Sequence, residues 1–156
     1  MLHDFAITEN FAIVPDLPFE FKPEKAMEGG HIFTYNKEAK ASYLILNRNS
    51  QDVKETRQFE LPNHYVFHFA NAWEDTNEQG QKVIILFGCA YTDISLGLLD
   101  EHPFGKLKYP NKLTKFVFNL ETGQSDMKVV IDNVSTDFPV VDQHRVGYKT
   151  RYCYLT

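Results

Sequence analysis

No run of about 18 apolar residues occurs in the chain, so the sequence holds no candidate membrane-spanning helix. The opening residues, with His3, Asp4 and Glu9, lack the basic-then-apolar pattern of a secretory signal. Cysteine is scarce: Cys89 and Cys153 stand far apart and form no C-x-x-C pair. They read as two small buried side chains in a reducing compartment rather than as a disulfide or a thiolate ligand. Basic blocks are missing too. The 16 Lys and Arg are scattered among 21 Asp and Glu, and the net charge is -5. Nothing gathers positive charge against a polyanion, so nucleic acid is not an expected partner. There is no exact internal repeat, no low-complexity tract and no long amphipathic helical pattern.

Common catalytic signatures are absent as well. No G-x-S-x-G and no Ser/His/Asp set is found. Gly29-Gly30 does not make a phosphate loop, and no H-E-x-x-H occurs. Glu74 and Asp75 are adjacent, so on a strand they point to opposite faces and make a poor acid–base pair. Solvated or supporting roles suit them better.

What is present is aromatic. The 156 residues include 13 Phe and 8 Tyr, an enrichment that favours a pleated, half-buried surface. Apolar segments alternate with turn residues along the chain. Phe5–Ile7 and Phe11–Val14 read as a hairpin whose first strand begins at His3. Pro15, Pro18 and Pro23 then interrupt, with a short edge strand at Phe19–Phe21 and one helical turn from Pro23 to Met27, stopped by Gly29-Gly30. His31–Tyr35 and Ala41–Leu46 read as a strand pair. Gln58–Leu61, Tyr65–Asn71 and Lys82–Cys89 follow, the last apolar enough to be buried on both faces. Ile94–Asp100 reads as a short helix in an insertion reaching Pro110. Leu113–Leu120 and Met127–Ile131 make a hairpin about Glu121–Gln124, and Tyr148–Leu155 reads as a final strand. Nine or ten short strands without a long helix predict an all-β domain, either a sandwich or about three propeller blades.

Six histidines are candidates for chemistry: His3, His31, His64, His68, His102 and His144. His3 and His68 stand out because each lies beside an aromatic strand with a carboxylate close in sequence. A metal-bound imidazole usually needs an acceptor for its other ring nitrogen. They are 65 residues apart, so only tertiary structure can bring them together. A propeller does so readily, because its innermost strands converge on one axis.

Those stretches carry a family likeness. Met1-Leu2-His3-Asp4-Phe5-Ala6-Ile7-Thr8-Glu9-Asn10 and Phe67-His68-Phe69-Ala70-Asn71-Ala72-Trp73-Glu74-Asp75 resemble two signatures of carotenoid cleavage dioxygenases. Asn119-Leu120-Glu121-Thr122-Gly123, Asp137-Phe138-Pro139 and Gly147-Tyr148-Lys149-Thr150-Arg151-Tyr152 resemble three further motifs, in family order. The resemblance is nearest to the plant 9,10-cleavage and epoxycarotenoid branches.

The resemblance implies a seven-bladed β-propeller with Fe(2+) on its axis, held by four histidines, three of them oriented by carboxylates. It makes His3 and His68 metal ligands. Asp137 falls where the family has a Glu, or Asp in some plant branches, and would hold His68. The remaining ligands are expected outside the chain, residues 1–156 being a central segment of one propeller domain. Alone, that segment is expected to be poorly folded and inactive.

The implied reaction is oxidative cleavage by O2 of a conjugated C=C in a carotenoid or apocarotenoid, giving two carbonyl products. Stilbene cleavage within the same family is the runner-up, and a non-catalytic β-domain binding an apolar ligand is the alternative from another class. The resemblance also implies peripheral membrane contact of the full-length enzyme. No partner protein is evident, and the compartment stays open between cytoplasm and plastid.

Overall fold

The computed structural model describes residues 1–92 and 111–156; the expected helix Ile94–Asp100, its insertion and His102 fall outside them. Among the described residues ten strands alternate with turns: β1 (Ala6–Ile7), β2 (Phe11–Asp16), β3 (Phe19–Phe21), β4 (Phe33–Tyr35), β5 (Ala41–Asn47), β6 (Arg57–Leu61), β7 (Tyr65–Thr76), β8 (Lys82–Tyr91), β9 (Lys112–Asn119) and β10 (Ser125–Val129). They form two four-stranded antiparallel sheets, ordered β1-β2-β5-β6 and β7-β8-β9-β10, and a two-stranded ribbon of β3 and β4. Each four-stranded sheet has the strand order of a propeller blade. Among the described residues the two four-stranded sheets and the ribbon account for all ten strands, as expected for a part of a propeller.

Three local expectations are corrected. β1 begins at Ala6, so His3 lies in the lead-in to the strand rather than on it. The segment around β4 does not pair with β5. It pairs with β3, where Phe19 stacks on Phe33 at 5.4 Å. β5 instead runs between β2 and β6, since its buried Ala41, Tyr43 and Ile45 need a central place in the sheet. Tyr148–Leu155 is not a strand. Only a single bridge, Val140 to Tyr154, pairs there, and Lys149, Arg151 and Tyr152 are exposed.

The two sheets pack through aromatic rings. Tyr43 from the first sheet meets Phe118 and Phe116 from the second at centroid distances of 5.1 and 5.7 Å, and Phe59 meets Phe118 at 5.3 Å. β8 is buried on both faces, as its apolar run predicts. Ile84 and Leu86 join this main core, while Val83 and Ile85 join Trp73 in a second cluster on the other face.

His64 is a core residue. Its Nδ1 lies 2.7 Å from the carbonyl of Pro62, which can only accept, so Nδ1 carries the proton. Nε2 then accepts from the Tyr43 hydroxyl at 2.7 Å. Burial lowers the His64 pKa from 6.5 to about 4. The unfolded chain therefore binds more protons than the folded one between those values, and stability rises with pH there. His64 is expected to take on the order of 3 kcal/mol from stability as pH falls through that window. Denaturant titrations at stepped pH check this. His64→Gln, which cannot titrate, should flatten the acid limb between pH 6.5 and about 4.

Candidate metal centre

β7 is irregular where it carries His68. Its register against β8 shifts between Val66 and Phe69 and again between Phe69 and Asn71. Bulges of this kind re-aim side chains beside functional sites. Gly88 on β8 makes room for the displaced chain: a Cβ there would lie 2.8 Å from the Phe69 ring and 3.1 Å from a Val66 methyl. Any larger residue would push against these two side chains, which flank His68 on β7.

His3 and His68 come together. Their ring centroids are 5.3 Å apart with planes at 79°, and His3 also meets Phe67 edge-on at 5.4 Å. Two imidazoles bound to one ion at metal–nitrogen distances of about 2.1 Å and a tetrahedral or octahedral angle would place their centroids roughly 4.5–5.3 Å apart. The observed pair fits such a shared ion. Among the described residues, no cluster of three or more His, Cys, Asp or Glu fit for a metal forms.

Asp137 reaches His68 from 69 residues away. Its Oδ1 lies 2.8 Å from His68 Nδ1 and also accepts from the Phe138 amide at 2.8 Å. Oδ2 accepts from the Tyr91 hydroxyl at 3.3 Å. With Nδ1 donating to this carboxylate, Nε2 is the nitrogen left to bind a metal. Asp137 is fixed in turn through its backbone, which exchanges hydrogen bonds with Thr156 at 2.9 and 3.0 Å. Phe138 has φ of 46°, an unusual left-handed conformation for a bulky residue, and its ring lies 4.8 Å from that of His68. Burial, with the Asp137 charge beside it, raises the Tyr91 pKa, so its hydroxyl stays protonated and donates.

The carboxylates adjacent in sequence do other work. Asp4 accepts from the Phe69 amide at 2.9 Å, not from an imidazole. Glu74 accepts from Thr8 Oγ1 at 2.7 Å and from the Asn10 amide at 2.9 Å. Burial alone would raise the Glu74 pKa, but these hydrogen bonds outweigh it and lower the value. Asp75 pairs with Lys149 at 2.9 Å. Asn71 donates to the carbonyls of Arg145 and Tyr148 and accepts from the Gly147 amide at 2.9 Å, which ties β7 to the chain's final segment. Gly147 has φ of 85° and packs against the backbone of Thr8.

Sequence reasoning missed the roles of Tyr91, Asn71, Asp4 and Glu74. The polar residues crowded into two aromatic stretches were the available signal. Of the other histidines, His64 is buried in the core, while His31 and His144 are exposed.

The family model for RPE65, retinal pigment epithelial membrane protein, matches residues 1–156. The chain belongs to the RPE65 family of carotenoid oxygenases. It is 38% identical over 158 residues to carotenoid 9,10(9',10')-cleavage dioxygenase 1 of Pisum sativum, covering 100% of this chain and 28% of that relative. It is 29% identical to the chloroplastic 9-cis-epoxycarotenoid dioxygenase NCED6 of Arabidopsis thaliana, covering 99% of this chain and 26% of the relative. The chain thus spans little more than a quarter of these relatives' lengths. Among solved structures, cobalt-substituted Synechocystis ACO aligns with a TM-score of 0.82 at 22% identity, covering 99% of this chain and 32% of that one. An ACO/RPE65 chimera gives the same TM-score at 23% identity. These family structures are seven-bladed propellers, and the two sheets here are part of that fold.

Proposed function

We propose that the full-length protein is an Fe(2+)-dependent dioxygenase that cleaves a conjugated C=C of a carotenoid or apocarotenoid into two carbonyl products. Residues 1–156 would be the central segment of its propeller domain. The observation that supports this reading most is the meeting of His3 and His68, with His68 Nδ1 held by Asp137 at 2.8 Å. His3 and His68 would be two of the ligands, each offering a neutral ring nitrogen. Bound iron supplies O2 activation. Asp137 fixes the His68 tautomer and ring plane, and Tyr91 and the Phe138 amide hold the carboxylate in place. Phe67 and Phe138 give the site an apolar flank suited to a polyene. Peripheral membrane contact would give such an enzyme access to lipid-dissolved substrate. The compartment would be plastid or cytoplasm, and some relatives' names carry the word chloroplastic.

The test is incubation of the purified full-length, iron-loaded protein with a carotenoid under isotopically heavy dioxygen. The expected result is two carbonyl products, both labelled. Turnover of hydroxylated stilbenes and not of carotenoids would favour the sister reaction. No turnover of either would remove the enzymatic reading.

A further inference from the structure

The two histidine-bearing stretches are fastened to one another by two carboxylates pointing in opposite directions. Asp4, one residue after His3, binds the amide of Phe69, one residue after His68, across 65 positions at 2.9 Å. Glu74, farther along β7, binds Thr8 Oγ1 across 66 positions at 2.7 Å and the Asn10 amide across 64 positions at 2.9 Å. Its second oxygen accepts from Asn10 Nδ2 at 3.0 Å. Each stretch thus lends one carboxylate to the other's backbone or turn. All these contacts sit within one position of the 65-residue offset that separates His3 from His68.

β1 and β7 belong to different sheets and share no ladder hydrogen bonds. No ladder register holds one stretch against the other. A slip of one residue would carry His3 about 3.3 Å along β7, more than a coordination bond tolerates. Arg48 secures the far side of the same turn, donating to the carbonyl of Thr8 at 2.7 Å.

We infer that Asp4 and Glu74 are positioning residues whose reciprocal clamps set the offset of His3 against His68 and so the geometry of the metal centre. This rests on the reading that the two histidines share a metal. It gives the carboxylates of both signature stretches a role that neither adjacency to a histidine nor acid–base chemistry explains.

The test uses the full-length protein, stripped of metal and titrated with cobalt(II), read by affinity and by the visible d–d bands. Asp4→Ala and Glu74→Ala should each weaken cobalt binding about tenfold or more and shift the bands. Asp4→Asn and Glu74→Gln keep an acceptor and should recover part of the affinity. Val83→Ala, a core trimming on the outer face of β8, serves as a stability-matched control and should leave affinity and bands unchanged. Clamp variants that lose only stability, with affinity and spectrum like the control, would overturn the inference while sparing the metal reading. If His68→Ala binds cobalt as tightly as the parent protein, the metal reading fails and the inference with it.

Discussion

Replacing His68 by alanine is expected to lower metal affinity of the full-length protein by at least about 100-fold and to abolish carotenoid cleavage. The side chain sits at the meeting of four features: the β7 bulge, the Asp137 carboxylate, the Phe138 ring and the edge of His3. Asp137, which would stay beside the gap, already accepts from the Tyr91 hydroxyl and the Phe138 amide. Asp137→Asn leaves the imidazole present but removes the charge that holds its tautomer, so a smaller loss of about 10- to 100-fold is expected. The ordering of these variants is the informative result. Metal content by elemental analysis and affinity by competition with a chromogenic chelator check it. Equal affinity in His68→Ala and the parent would exclude His68 as a ligand.

Phe118→Ala is expected to cost about 3–5 kcal/mol of stability, the range for removing a fully buried aromatic ring. Phe118 is fully buried and touches Tyr43 and Phe59 of the facing sheet. Removing its ring leaves a void between two sheets whose strands cannot close in without breaking their ladders. The surroundings therefore relax little and the cavity cost is nearly complete. The melting temperature should fall by roughly 10 °C. Met27, 93% exposed on the 3-10 turn, provides the contrast: Met27→Ala should stay within about 0.5 kcal/mol. Thermal and urea unfolding of the variants side by side check both. A Phe118→Ala loss under about 1 kcal/mol would mean that the sheets do not pack through this ring.

Much of the fold was legible because period-two burial and turn residues are local signals. The hairpin of β9 and β10 was anticipated from its turn, where Asn119 Oδ1 receives the amides of Glu121 and Thr122 and Gly123 takes φ of 72°. The double burial of β8 followed from its apolar run. The errors arose where pairing partners had to be chosen. Sequence order suggested β4 with β5, but the aromatic stack of Phe19 on Phe33 drew β4 to β3. An alternating pattern suggested a strand at Tyr148–Leu155, yet hydrogen bonds from Asn71 hold the turn before it in another path.

The sequence by itself determined that the chain is all-β and that it belongs with the carotenoid oxygenases, because signature stretches and alternation are written in consecutive residues. It also singled out His3, His68 and Asp137. The resemblance already pointed to Asp137 as the partner of His68, but only the tertiary structure decided what Asp4 and Glu74 hold. Asp4 lies next to His3 in the chain yet binds the Phe69 amide, whereas Asp137 reaches His68 from 69 positions away. The reason is directional. A carboxylate one residue along an extended chain points away from its neighbour's side chain, so an imidazole must find its acceptor on another segment. The bulge in β7 and the fastening of Asp137 to Thr156 supply that segment, and both are products of packing between elements rather than of local pattern.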